Sequence, residues 1–144
     1  MTDEFIVQEV SWASHHSELQ EVRQKVFVFE QRVDQEIEID GRDPECYHVL
    51  VKTSFGEPIG TGRLTPEGKI GRVSVLMNFR NKGIGSKILH ELIQIAEREK
   101  LEAVKLHAQI HAVEFYERHQ FVANGPVFME AGIPHQSMKR FRAN

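Results

Sequence analysis

Cysteine is nearly missing: Cys46 is the only one in 144 residues. No intrachain disulfide and no thiolate cluster for zinc can form, so a reducing compartment fits and a secreted, disulfide-stapled fold does not. Long hydrophobic runs are missing as well. No uncharged apolar stretch reaches the roughly 18 residues that a spanning helix needs. The acidic start Met1-Thr2-Asp3-Glu4-Phe5 has no basic flank leading into an apolar run, so it does not read as a signal peptide. The expectation is a cytoplasmic protein with no membrane partner. An excess of positive charge is also absent, with 18 lysines and arginines against 21 aspartates and glutamates and a net charge of −3. That balance argues against a nucleic-acid-coating protein, although it averages over the surface and leaves room for a local basic pocket. Internal repeats, low-complexity segments and linkers are absent, and the length suits one domain with a real core, spanning residues 1–144.

What is present alternates between strand and helix patterns. Phe5 to Val10 reads as a first strand. Ser14 and Ser17 are candidate helix caps, Ser17-Glu18-Leu19-Gln20 having the form of a capping box, and Leu19, Val22 and Val26 then share one helical face to about Phe29. Asp34 to Glu45 holds six acids and one arginine around Gly41 and Pro44 and reads as an exposed loop or short irregular turn. Tyr47 to Thr53, Ile59 to Thr65 and Lys69 to Val75 form a three-strand meander with hairpin-length turns. Gly83 to Lys100 is the clearest helix, with Ile84, Ile88, Leu89, Leu92, Ile93 and Ala96 on one stripe. A strand at Ala103 to Ala108, a short helix at Ala112 to His119, and late strands around Phe121 to Met129 and Gln136 to Phe141 complete the order. The helix between Val75 and Ala103 is a crossover that makes its flanking strands parallel. The sum is a mixed α/β fold: a partly antiparallel central sheet with helices on both faces.

Arg80-Asn81-Lys82-Gly83-Ile84-Gly85-Ser86 lies between a strand and the long helix. Two glycines there let backbone N–H groups approach a ligand, and the helix N-terminus favours an anion such as a pyrophosphate. Arg80, Lys82 and Lys87 add positive charge. The order Gly85-Ser86-Lys87 is wrong for a nucleoside-triphosphatase loop, and Ile88 stands where a dinucleotide fingerprint has its third glycine.

The Arg-x-x-Gly-x-Gly pattern resembles the acetyl-CoA-binding motif of the GCN5-related N-acetyltransferases, the GNAT superfamily. A second element agrees: Gln109 through Arg118, followed by Phe121, resembles the superfamily's Asn-x-x-Ala-x-x-x-Tyr-Glu segment. It departs from the pattern at Gln109, in place of the asparagine, and at Gln120, in place of a glycine. Arg23 to Gln31, His107-Ala108-Gln109 and Ala131-Gly132-Ile133-Pro134-His135 resemble the bacterial ElaA/YjcF-like branch. The likeness runs from about Val10 to Phe141.

The resemblance implies an acetyl-CoA-dependent acyltransferase that moves an acetyl group directly to a primary amine of a small molecule or peptide. Such aminolysis needs a polarised carbonyl, a deprotonated amine and help for the leaving sulfur. It places Val73, Ser74 and Val75 along the pantetheine arm, with the Val75 N–H as donor to the carbonyl oxygen. Arg80, Lys82, Gly83, Ile84, Gly85 and Ser86 would hold the pyrophosphate, and Gln109 and Phe115 would adjoin the cofactor. Tyr116 matches the tyrosine that donates to the sulfur, while Phe115 and Tyr116 also fit plain core aromatics. For the base, Glu30 stands first and His107 second, with relay through water equally compatible.

Arg63 and Arg72 either reach an acidic group on the acceptor or pair with a loop carboxylate. With Glu30 and Gln31 they make the candidate acceptor site, and His135 either faces the cleft or fills a turn. His107 and His111 have a metal-like spacing, but the strand-to-loop break takes them off a shared face and no third ligand is fixed. The acidic run lacks the ligand order of a calcium loop. No metal is expected. Cys46 has no base partner as an acyl carrier. The rival from another class is a CoA-binding module with little turnover. Homodimers are common in the superfamily, and the sequence itself offers no test of one.

Overall fold

The computed structural model describes residues 4–142, so the acidic start at Met1-Thr2-Asp3 lies outside the described residues. β1 (Phe5–Val10) leads into α1 (Trp12–Arg23), whose N-cap is Ser11, its side chain accepting from the Ser14 amide. The capping box expected at Ser17 is therefore not used. The first turn starts six residues earlier and breaks at His15 (φ −133°, ψ 17°) before the regular helix resumes. Leu19, Val22 and Val26 are buried as their spacing predicts. After Arg23 the helix widens into a π-helical turn, Gln24–Glu30.

Most of Asp34 to Glu45 is exposed, as expected, but two of its acids are not. The segment contains α2 (Gln35–Glu38) and a 3₁₀ turn (Asp43–Glu45), and Glu38 and Asp43 are buried, each only 3% exposed. Arg23 bridges both, to Glu38 Oε2 at 3.0 Å and Asp43 Oδ1 at 2.8 Å. Arg63 pairs with Asp40 at 2.7 Å and Asp43 at 3.0 Å, and Arg72 with Glu38 at 2.7 Å. Three arginines thus hold three of the segment's six acids, Glu38, Asp40 and Asp43.

The meander is as expected: β2 (Tyr47–Thr53), β3 (Pro58–Leu64) and β4 (Lys69–Val75) pair antiparallel. α3 (Ile84–Arg98) crosses over to β5 (Ala103–Gln109), which runs parallel to β4. α4 (Val113–Arg118) follows. The segment expected as one strand, Phe121 to Met129, is two short strands, β6 (Val122–Ala123) and β7 (Phe128–Glu130), with Gly125 between them at positive φ. Both pair with β8 (Ile133–Phe141). The sheet has eight strands in the order β1-β2-β3-β4-β5-β8-β6, with β7 also on β8.

α3 covers one face. Its whole apolar stripe is buried with Val49, Val51, Leu64, Leu106 and Ala108. It sits so close that a Cβ on Gly62 would lie 2.5 Å from Ile88 Cγ2 and 2.9 Å from Leu92 Cδ1, which is why β3 carries glycine there. α1 covers the other face, with Val10, Leu19 and Leu50 in a smaller cluster, and the arginine–carboxylate network continues that layer. Among the described residues no helix is long and apolar enough to cross a membrane.

Candidate active site

β4 and β5 pair only at Lys69–Lys105 and Ile70–Leu106. Arg72 then takes a left-handed conformation (φ 54°) and the β3–β4 register shifts between Thr61 and Arg63, a bulge that bends β4 away. β5 meanwhile continues beside β8 out to Gln109–His135. A wedge opens between the two parallel strands. The Leu76 amide donates to Ile59 O at 2.9 Å. Successive amides of an extended strand point to opposite edges, so the Val75 N–H turns into the wedge.

The mouth of the wedge is the start of α3. Gly83 is its N-cap at φ 79°, with no side-chain cap, and the first helical donor is the Lys87 amide, onto Gly83 O at 3.2 Å. The Ile84, Gly85 and Ser86 amides thus lie ahead of the helical ladder, at the positive end of a 15-residue helix. The Phe115 ring lies beside Gly85, 3.6 Å from where a Cβ would stand, an ordinary packing distance. Uncapped amides, an open strand edge and a ring beside them fit a phosphorylated cofactor with an extended arm.

Wedge and mouth belong to one cleft of about 1330 Å³. It is lined by every candidate residue except Lys82: Val73, Ser74, Val75, Arg80, Gly83, Ile84, Gly85, Ser86, Phe115, Tyr116, Gln109, His107, Glu30, Gln31, Arg63, Arg72 and His135. Lys82 is exposed on the loop.

Several of these side chains are already engaged. Arg80 forms a two-pronged pair with Glu30, both contacts 2.7 Å, and its Nε donates to Val75 O at 2.9 Å. The bond to Glu30 raises the guanidinium's pKa, burial opposing it only in part. Gln109 donates to Gln31 Oε1 at 2.9 Å, tying β5 to the end of the π-turn. Arg63 and Arg72 are spent on the 34–45 segment, the second of the two pairings their positions allow. Burial lowers the Arg72 pKa, whereas at Arg63 the burial effect is outweighed by Asp40 and Asp43. Tyr116 packs edge-on against Phe115 (5.1 Å) and Phe121 (5.8 Å), and burial pushes its phenol up to about 12. Cys46 is buried, which raises its thiol pKa, and does not line the cleft.

The side chain that sequence reading missed is Glu130, which lines the cleft with its Oε1 2.9 Å from His107 Nδ1. A strand ending at Met129 leaves it out. The signal that would have found it is Ala131-Gly132, a two-residue turn that folds Glu130 back opposite Ile133. No cluster of three or more His, Cys, Asp or Glu side chains suited to a metal occurs among the described residues.

Residues 13–141 match the family model of the acetyltransferase (GNAT) domain. The chain belongs to the GNAT acetyltransferase family. A curated relative, the N-acetyltransferase YjcF of Bacillus subtilis, is 37% identical over 123 residues, covering 83% of this chain and 87% of that one. Among solved structures, an acyl-CoA N-acyltransferase from Pseudomonas aeruginosa is 31% identical with a TM-score of 0.80, covering 96% of this chain and 99% of that one. Escherichia coli ElaA is 28% identical with a TM-score of 0.84, covering 94% and 99%. Family and geometry agree on an acyl-CoA-dependent acyltransferase.

Proposed function

We propose that this protein transfers an acetyl group from acetyl-CoA directly to a primary amine on a small molecule or peptide. The observation that carries the reading is the meeting, in one cleft, of the β4–β5 wedge, the uncapped start of α3 and the Tyr116 phenol.

The Ile84, Gly85 and Ser86 amides bind the pyrophosphate, with Arg80 beside them as the charged partner. The open edge of Val73 to Val75 orients the pantetheine arm as an added strand would be oriented. Acetyl-CoA, when bound, supplies the thioester carbonyl as electrophile and a thiolate as leaving group. The Val75 N–H donates to the carbonyl oxygen, where preorganised donors are worth the most. Tyr116 keeps its proton throughout the neutral range and donates a hydrogen bond to the sulfur as negative charge develops there. Acyl transfer through Cys46 has no support, since the thiol is buried away from the cleft.

Amines arrive as ammonium ions, so a base is needed. Both Glu30 carboxylate oxygens are held by Arg80, and a carboxylate in a two-pronged pair is a poor proton acceptor. His107, on the wedge side of β5, is the better-placed candidate. The test is a thiol-release assay with acetyl-CoA against polyamines, amino sugars, amino acids and a lysine peptide. Saturable release with at least one amine is expected. Saturable CoA binding without release for any amine would replace the enzyme by a CoA-binding module.

A further inference from the structure

The β7–β8 hairpin brings a carboxylate and a second imidazole to the cleft that the reaction above leaves without a task. Ala131 (φ 52°) and Gly132 (φ 75°) form its two-residue turn, which folds Glu130 back across Ile133. The Glu130 carboxylate lies between two rings, with Oε1 2.9 Å from His107 Nδ1 and Oε2 3.8 Å from His135 Nε2. His135 Nδ1 is 2.7 Å from Ile133 O. A carbonyl oxygen only accepts, so that nitrogen carries the proton and the ring is turned with Nε2 toward Glu130.

The same argument fixes His107. An ionised carboxylate only accepts, so Nδ1 donates to it and the neutral ring keeps its lone pair on Nε2. Phe128 holds both rings, edge-on to His107 at 4.9 Å and nearly parallel to His135 at 6.1 Å. His107 sits just past the last β4–β5 ladder contact, between Leu106 and Ala108, which point into the core. It, Glu130 and His135 all line the cleft. The carboxylates across from it are held by arginines: Glu30 by Arg80, Glu38 and Asp40 by Arg72 and Arg63.

We infer that His107 is the base that takes the proton from the acceptor ammonium at Nε2, with Glu130 as the positioning residue that fixes its tautomer. This rests on the acetyl-transfer reading of the same cleft. The protons balance: an ammonium loses two N–H protons on becoming an amide. One passes to His107 Nε2 and on to water. The other ends on the departing sulfur, which the Tyr116 hydroxyl steadies by a hydrogen bond, so each turnover releases one proton and leaves both side chains as they began.

The experiment pairs imidazole ¹⁵N spectra with steady-state kinetics. In the wild-type protein His107 is expected as the Nδ1–H tautomer, a readout that needs no substrate and no variant. Glu130→Gln, an isosteric change on a half-exposed residue, should leave the melting temperature and the KM for acetyl-CoA unchanged. It should also mix the tautomers and lower kcat by roughly 10- to 100-fold, because a tautomer-fixing carboxylate acts through the base. His107→Gln should lower kcat at least as far. A wild-type ring protonated on Nε2, or a Glu130→Gln enzyme with undiminished kcat on an amine the wild type acetylates, overturns the inference and leaves acetyl transfer standing. A wild-type protein inert toward every amine overturns acetyl transfer, and the proton relay with it.

Discussion

Tyr116 shows how burial decides what a side chain can do. In water a phenol titrates near ~10 and a thiol near ~8.5, so a tyrosine keeps its proton where a thiol has begun to ionise and can offer the thiolate a hydrogen bond. Burial pushes Tyr116 up to about 12, since the charged form loses most on leaving water. The phenol therefore holds its proton at any pH at which the protein would work. Its ring is fixed by Phe115 and Phe121, so donation and not packing is what the hydroxyl adds. Tyr116→Phe keeps the ring contacts and removes the donor. Steady-state kinetics should show kcat reduced by roughly 10²-fold, with the KM for acetyl-CoA nearly unchanged, the pattern of a contact made only as the reaction proceeds. Undiminished kcat would remove Tyr116 from its role at the sulfur. Its place in the cleft was legible because a short motif carries it. Glu130 was not, because its partner His107 lies 23 positions away and only the hairpin turn brings them together.

At the level of elements, the 34–45 segment is exposed over most of its length but walls the cleft through Ile37, Glu38 and Asp40. Local composition could not reveal this, because the compensating charges come from α1, β3 and β4. Arg23 reaches Glu38 over 15 positions and Arg72 does so over 34. The regular helices and the meander were legible for the opposite reason, each being specified by its own periodicity and turns. Buried ion pairs add little net stability when complete, but removing one partner strands the other, at a cost of roughly 3–5 kcal/mol. Asp43 touches both Arg23 and Arg63, so Asp43→Ala should lose about that much in urea unfolding at neutral pH. The network also sets a pH dependence. Burial by itself would raise the Asp40 and Asp43 carboxyls, but their arginine bonds outweigh it and hold both well below the usual range. A carboxyl depressed in the folded state contributes stability that is complete above its unfolded value of about 3.9 and drains away as pH falls toward the folded value. Wild-type urea midpoints should therefore fall steeply below about pH 4, and those of Asp43→Ala less so. Parallel pH curves for the two proteins would show that the network does not govern acid stability.

For the whole molecule, the mild net charge of −3 hides two opposed regions, and the fold assigns them different work. Three of the six acids of residues 34–45 are held by arginines within the layer beneath α1. The positive end of α3 stays turned to the cleft, close to Arg80. The parallel β4–β5 crossover was legible, since a long amphipathic helix between two strands allows little else. Where that parallel ladder stops was not, because it depends on a bulge at Arg72 that is anchored by a carboxylate 34 positions away. The bulge links the two regions: by tying Arg72 to Glu38 it bends β4 off β5 and opens the wedge. If the wedge and the start of α3 form one binding surface, CoA titrated into ¹⁵N-labelled protein should move the amide resonances of Val73 to Val75 and Ile84 to Ser86 along a single saturation curve. The β1–β2 ladder, at the far edge of the sheet, should barely respond. Glu38→Gln loosens Arg72 without touching a proposed CoA contact, so it should weaken CoA binding measured by calorimetry while Val75 still responds at saturation. Shifts confined to Ile84 to Ser86, with Val73 to Val75 silent, would mean that the pyrophosphate loop binds alone and that the opened strand plays no part in holding the arm.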